Sequence, residues 1–351
     1  MMILAYQDPR GVNCSMGTTP VRLAIVGCGA IAEAMHIPAA LNVNEVELTA
    51  LIDADATRAR DVGRRFQVSK TGTCLEDFAT DLDAVILATP PHVRPQLATQ
   101  AFELGLHVLC EKPLANSTAE CDVIIDAGWR AARVLAVAHI FRFWPSRTAV
   151  RQLIKDGRLG RIGSVTVTQG NPYSWQGVTG YNMRHDMVPG GVLLDAGIHP
   201  LDTLLWWFGD PVSLQYEDDS LGGLESNIRL SMRFPDEIDV QFRQSRTCRL
   251  GNEFRIVAER GTLLLSNYNT WQYQWLQDGE SVTHNCVAEA VDHSDCERRQ
   301  LIDFTESVSQ QRTPRVGGDQ ARRVVQLVER CYATRRTRAL PSQAPLPGLT
   351  Y

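Results

Sequence analysis

Asp195, His199 and Asp202 lie at i, i+4 and i+7 in the stretch Gly-Gly-Val-Leu-Leu-Asp-Ala-Gly-Ile-His-Pro-Leu-Asp, residues 190–202. On a helix, at roughly 100° per residue, these side chains share a stripe about 60° wide. Leu193, Leu194, Ile198, Leu201, Leu204 and Leu205 take the other faces and anchor the element in a core. Two carboxylates and an imidazole on an otherwise apolar helix are costly unless something uses or satisfies them. An imidazole titrates near neutrality, so His199 suits proton transfer to or from a substrate oxygen. Asp195, one turn earlier, can orient that imidazole or hold a neighbouring substrate hydroxyl. Gly197 between them costs up to ~1 kcal/mol relative to Ala in a helix interior; close approach of a ligand or tight helix packing would each account for it. Pro200 would cost ~3 kcal/mol inside a regular helix. The segment therefore either kinks or starts a second helix with Pro200 as its first residue. Beyond that proline, Asp202 reads as a structural carboxylate as readily as a catalytic one.

Such a face needs a partner, and the first third of the chain provides the frame for one. Val21–Val26 is a β-branched run stopped by Gly27-Cys28-Gly29-Ala30-Ile31-Ala32, which fits G-x-G-x-x-A. The motif is weak alone, but it follows a strand, opens a helix expected over 31–41, and is answered by Asp53 after a second strand at 46–52. That context is the dinucleotide fingerprint. Gly27 allows the tight turn, and Gly29 lets a pyrophosphate approach the backbone. Ala32 lets helix and strand pack closely, and the helix start at Ala30 and Ile31 offers amide donors. Asp53 would accept from ribose hydroxyls and repel a 2′-phosphate, which favours NAD over NADP; Arg58 and Arg60 lie near enough to blur that preference. A helix over 57–66, a strand over 83–88, a helix over 95–105 and a strand over 107–110 continue an alternation that implies a parallel sheet with crossover helices. Thr89, Pro90 and His92 after the third of these strands, and Glu111 and Lys112 after the fourth, occupy carboxyl ends where open sheets place ligands. They complete the cofactor-binding candidates. Lys112 can also stabilise charge developing on a substrate oxygen.

After about Trp144 the texture changes to strands at 164–169, 227–234, 238–245 and 254–258, with helices returning near 297–309 and 318–333. The expected fold is α/β: an N-terminal Rossmann domain over 19–142 and an α+β domain over 143–340 built on a large, mainly antiparallel sheet. Tails are expected at 1–18 and 341–351, with either Met1 or Met16 as the start. Arg142, Tyr173, Trp175, Tyr181 and Arg184 are candidates for a substrate pocket alongside Asp195 and His199, since aromatic faces with scattered donors suit sugar rings. His36, His107 and His139 read as structural.

A net charge of −5 over 351 residues, with no long basic cluster, gives no case for nucleic acid. Arg322-Arg323 and Arg335-Arg336 read as the solvated face of a C-terminal helix. Nine scattered cysteines without Cys-x-x-Cys point to free thiols in a reducing, cytoplasmic setting. His284, Cys286, His293 and Cys296 read as residues of a polar connector, so no metal is expected. No apolar run approaches a membrane span.

Taken together, Gly27-x-Gly29-x-x-Ala32, Thr89-Pro90-Pro91, Glu111-Lys112-Pro113 and Gly190-Gly191-x3-Asp195-x-Gly197-x-His199-x2-Asp202 resemble the glucose-fructose oxidoreductase/inositol dehydrogenase/MocA (Gfo/Idh/MocA) family. The resemblance runs from about Val21 to about Leu340 and includes Gly157-Arg-Leu-Gly160 and Phe304. It implies tightly bound NAD or NADP, and oligomer contacts through the C-terminal sheet in a homodimer or homotetramer. It also implies catalytic roles for Lys112, Asp195 and His199, and an NAD(P)-dependent interconversion of a secondary alcohol and ketone on a polyol, sugar or sugar derivative. A glycosidase that oxidises a sugar carbon transiently, and a non-catalytic NAD-gated sensor, are the rival expectations. One departure stands out: Arg94 occupies a position where many members carry His.

Overall fold

The computed structural model describes residues 19–175 and 177–338. The expected tails, Cys14 and the alternative starts lie outside these residues. The chain forms two compact units that are not simple linear halves. The first takes the chain up to Trp144, a short piece ending at Tyr181, and Val287–Val325. The second takes Pro145–Trp175, Asn182–Cys286 and the chain from Gln326 onward.

The α-helices among the described residues are α1 (Ile37–Leu41), α2 (Ala56–Phe66), α3 (Arg94–Glu103), α4 (Thr118–Arg130), α5 (Pro145–Lys155), α6 (Ile198–Phe208), α7 (His293–Gln310) and α8 (Gly318–Ala333). In the first unit β1 (Val21–Val26), β2 (Val46–Ile52), β3 (Lys70–Gly72), β4 (Ala84–Leu87), β5 (His107–Cys110) and β6 (Leu135–Val137) form a sheet in the order β3-β2-β1-β4-β5-β6. Every pairing is parallel, as the alternation of strands and helices requires. The central strands are apolar on both faces, with Leu23, Ala24, Ile25, Ala84 and Val85 wholly buried. Two strands have no counterpart in the sequence pattern. Lys70–Gly72 and Leu135–Val137 are three residues each and sit at the two edges, too short for a periodic signal. The strand at 83–88 is therefore fourth in the chain, and the one before Glu111 is fifth. Helix α2 starts on Asp55, whose carboxylate accepts from the Thr57 and Arg58 amides. Late in the chain, α7 returns to this unit, and its Leu301 and Phe304 pack with Leu23, Ile25 and Ile86 in one core.

The second unit is built on a nine-stranded sheet of β7 (Ile162–Gly170), β8 (Ser213–Asp218), β9 (Asn227–Arg233), β10 (Asp239–Ser245), β11 (Glu253–Ala258), β12 (Gly261–Ser266), β13 (Gln272–Gln277), β14 (Glu280–Asn285) and β15 (Arg336–Thr337). Their order is β14-β13-β12-β11-β7-β10-β9-β8-β15. Only β7 with β10 and β8 with β15 run parallel, so the sheet is mainly antiparallel as expected. Alternate residues Ile228, Leu230 and Met232, Val240 and Phe242, and Phe254 and Ile256 face the core. Helix α6 lies against them, with Trp207 edge-on to Phe254.

Helices α1 and α6 are each entered through a π turn. Ala32–His36 precedes α1, whose second residue is Pro38, and Leu193–Gly197 precedes α6, whose third residue is Pro200. A proline clashes with the carbonyl four residues back in a regular helix. The wider turn absorbs that conflict, because a π bulge lets a residue without an N–H sit inside continuous helical backbone. The expected second helix starting at Pro200 does not occur: the irregularity is a widened turn ahead of His199, with helical backbone on both sides of it.

Candidate functional site

In the first unit the glycine-rich turn has the two properties a dinucleotide cradle needs. Gly27 has φ of +96°, and a Cβ there would stand 2.7 Å from the carbonyl oxygen of Ala88. Around Gly29, by contrast, nothing lies within 4 Å of where a Cβ would be, which leaves the backbone open to a phosphate. Asp53 is 7% exposed, with Oδ2 accepting the Cys28 amide at 2.8 Å. Its Oδ1 accepts the Asp55 amide at 2.9 Å and Arg58 Nη1 at 3.0 Å. The Thr89 hydroxyl is buried at the end of β4 and meets no hydrogen-bond partner among the described residues. A small open turn, a fixed carboxylate and an unanswered hydroxyl at strand ends fit a dinucleotide. Ala30 and Ile31 open the adjoining turn, and His92 lies exposed after Pro91.

The loop after β5 is fastened from two directions. Lys112–Pro113 is a cis peptide. Buried Arg94 donates Nε to the Thr89 carbonyl at 2.9 Å and Nη1 to the carbonyls of Glu111, at 2.6 Å, and Pro113. The residue that departs from the family pattern thus ties the Thr-Pro-Pro turn to the Glu-Lys-Pro turn, and burial pushes its own pKa down. On the other side, His36 Nε2 is 2.8 Å from Glu111 Oε1 and Nδ1 is 3.0 Å from Glu297 Oε1. Burial opposes the charged ring, but the charge of Glu297 and the bonds to both glutamates raise its pKa to about 10. Glu111 Oε2 accepts the backbone N–H of Lys112 at 2.9 Å.

In the second unit buried Glu225 holds the start of the Asp195 segment. Its Oε2 accepts the Gly191 amide at 2.8 Å, and its Oε1 accepts the Leu193 amide at 3.1 Å and the Tyr332 hydroxyl at 2.8 Å. A carboxylate at a helix start satisfies amides that the helix cannot. The Gly190-Gly191 pair follows from this packing: a Cβ on Gly190 would strike the Tyr332 ring, and one on Gly191 the Glu225 backbone. Burial and the adjacent Glu225 push the Tyr332 phenol well up. Gly197 is explained in the same way, because a Cβ there would strike the buried Gln244 side chain. Tight packing accounts for it without a ligand.

Asp195 and His199 are half-buried, whereas Asp202 is fully enclosed in α6. Asn182 Nδ2 reaches Asp195 Oδ2 at 3.2 Å and the Tyr173 hydroxyl at 2.7 Å, linking two candidates through a residue that no motif marked. Trp175 is half-exposed, and Arg184 is engaged by Asp186 on the surface at 2.6 Å. Tyr181 and the buried Arg142, whose carbonyl accepts Arg315 Nη1 at 3.0 Å, belong to the first unit. Asn182, Glu225 and Glu297 carry no local signal: Asn182 has its partners 9 and 13 residues away, and Glu225 and Glu297 act across longer separations still. Among the described residues no three His, Cys, Asp or Glu side chains gather where a metal could be held, and His284 stacks on Tyr273 instead. No described helix is long and apolar enough to cross a membrane.

The family model described as "Oxidoreductase family, NAD-binding Rossmann fold" matches residues 21–139, and that of the GFO/IDH/MocA C-terminal domain matches residues 148–264. The chain belongs to the Gfo/Idh/MocA family and is an NAD(P)-dependent oxidoreductase with an NAD-binding Rossmann domain. Among its relatives, 1,5-anhydro-D-fructose reductase of Ensifer adhaerens is 27% identical over 71% of this chain and 77% of that one. D-glucoside 3-dehydrogenase of Escherichia coli (strain K12) is 28% identical over 57% of each chain. Aldose-aldose oxidoreductase from Caulobacter crescentus, solved with glycerol, shares the fold at a TM-score of 0.81 and 22% identity, over 90% of this chain and 97% of that one.

Proposed function

We propose that the protein interconverts a secondary alcohol and a ketone on a sugar, polyol or sugar derivative. The carrying observation is the Glu111-Lys112-Pro113 turn at the end of β5, immobilised by Arg94 and His36 beside a cradle that fits a dinucleotide. NAD(P) supplies the hydride acceptor or donor when bound. Gly27, Gly29, Ala30 and Ile31 would hold its phosphates, Asp53 its ribose, and Thr89, Pro90, His92 and Glu111 its remaining length. NAD is the proposed form, because Asp53 keeps a carboxylate at the ribose position; Arg58, already on that carboxylate, is the feature that would admit NADP. Lys112 stabilises charge on the substrate oxygen, His199 exchanges its proton, and Asp195, steadied by Asn182, orients a substrate hydroxyl. Tyr173, Trp175, Tyr181, Arg142 and Arg184 are the proposed sugar contacts. The glycosidase and sensor readings use the same residues and gain no observation of their own.

The division near residue 142 is proposed as the boundary between cofactor and substrate domains. Cytoplasmic residence is proposed from the eight free cysteines among the described residues. A homodimer or homotetramer through the nine-stranded sheet follows the family, and light scattering on the purified chain decides it. The decisive experiment is a panel of sugars, polyols and inositols with NAD and with NADP, read by NADH or NADPH absorbance. Lys112→Ala should lower kcat by about a thousandfold with NAD binding nearly unchanged. Near-wild-type turnover in that variant would sink the assignment.

A further inference from the structure

His36 lies outside every recognised motif, yet it faces two carboxylates with its two ring nitrogens. A neutral imidazole carries one N–H, so the other nitrogen would present a lone pair to a carboxylate oxygen. With both carboxylates ionised, contacts of 2.8 Å to Glu111 and 3.0 Å to Glu297, with all three side chains at most 10% exposed, require a ring protonated on both nitrogens. Glu111 comes from the loop after β5 and Glu297 from α7; these are the charged groups that face the ring. Gln300 Nε2 donates to Glu297 at 2.9 Å and fixes that carboxylate in turn. The Glu111 oxygen not used by His36 accepts the Lys112 amide at 2.9 Å. Its carboxylate therefore cannot turn without releasing the peptide from which the Lys112 side chain leaves.

We infer that His36 is a positioning residue: clamped as an imidazolium between Glu111 and Glu297, it locks the Glu111 carboxylate onto the Lys112 amide and so fixes where the Lys112 ammonium is presented. The functional part of this statement rests on the proposed role of Lys112, whereas the structural part does not. Loss of the ring charge leaves two buried carboxylates without their common counter-ion, and the Glu111 side chain gives up its present direction. A displacement of Lys112 of the order of 1 Å is enough to cost catalysis heavily while the glycine-rich turn still binds cofactor.

The test uses the full chain with His36→Gln and Glu297→Gln. Amide hydrogen exchange at Lys112, with Leu109 and Cys110 in β5 as internal controls, reads the clamp without substrate. Protection at Lys112 should fall about tenfold in His36→Gln, the exchange equivalent of one charge-assisted hydrogen bond, with the controls within about twofold. In turnover with the sugar that the panel identifies, kcat should fall about tenfold or more with KM for NAD little changed. Glu297→Gln leaves the Glu111 contact in place, so it covers the case in which His36→Gln fails to fold. In Glu297→Gln the alkaline limb of the kcat profile should move to lower pH, because the ring has lost one of its two carboxylates. Unchanged Lys112 protection in a folded His36→Gln, or an unmoved alkaline limb in Glu297→Gln, overturns the inference. A wild type that turns over nothing in the panel defeats the proposed function instead, and Lys112 exchange still decides the role of His36.

Discussion

Glu111 and Glu225 are buried carboxylates with the same task and opposite means. Each pins the backbone from which a candidate catalytic side chain departs: Glu111 through the Lys112 amide, Glu225 through the Gly191 and Leu193 amides ahead of Asp195. Glu111 is answered by an imidazolium, with a second carboxylate behind it. Glu225 is answered by two amides and a tyrosine hydroxyl, while its nearest charged partner, Arg335, stands at 3.8 Å. One unit thus holds its chemistry with a titratable ion cluster and the other with fixed dipoles. The contrast predicts two parts that fail under different conditions.

The largest effect should come from Glu225→Ala, which strands two buried amides and the Tyr332 hydroxyl. A loss of about 3 kcal/mol or more is expected, read as a lower denaturant midpoint at unchanged slope. Glu111→Ala strands the Lys112 amide and takes one of two carboxylates from the buried His36 ring; with Glu297 still facing that ring, the loss should be about 2 kcal/mol. If Glu111→Ala proves the more destabilising, the neutral cap is not the stronger anchor and the comparison breaks.

A smaller effect is expected from pH. The raised pKa of His36 means that its stabilisation is complete below the unfolded value of 6.5 and is lost as pH rises through about 10. Burial alone would raise the Glu111 carboxyl, but the bond and charge of His36 hold it below the unfolded 4.5, so its stabilisation is present above that value and is lost as pH falls. The cluster is therefore strongest between pH 4.5 and 6.5 and weakens toward pH 10. Lys112 amide protection should decline over that alkaline range while Leu193 protection holds. A parallel decline at both amides would show that neither unit is distinctive. The smallest effect on stability is expected for Gly29→Ala, whose Cβ enters open space. Its melting temperature should stay close to wild type while NAD affinity falls about tenfold, since the methyl occupies room the phosphates need. Full retention of NAD affinity would remove Gly29 from the cradle.

The parallel sheet was legible in the sequence because strands such as Val21–Val26 and His107–Cys110 are short, mostly apolar runs that alternate with helical segments. Lys70–Gly72 and Leu135–Val137 were not, since a three-residue edge strand is defined by its neighbour rather than by its own pattern. Lys112, Asp195 and His199 stood out as polar groups in apolar or strand-end settings. His36 read as a structural histidine, because Glu111 lies 75 residues away and Glu297 is on a helix that sequence order assigns to the other domain. For Gly197 the sequence leaves ligand approach and tight packing equally open, and the Gln244 side chain standing where its Cβ would be favours packing.

The two π turns ahead of Pro38 and Pro200 carry a consequence for how such chains diverge. Each works as a one-residue insertion accommodated inside a helix instead of in a loop. The helix body can keep its buried face on the core while the residues before the proline rotate independently. Deleting Ala34 or Ala196 would restore regular winding and swing everything upstream by about 100°, carrying Gly29 or Asp195 off its present face. In an alignment of relatives, a single gap at either place would mark a repositioned site in an unchanged scaffold.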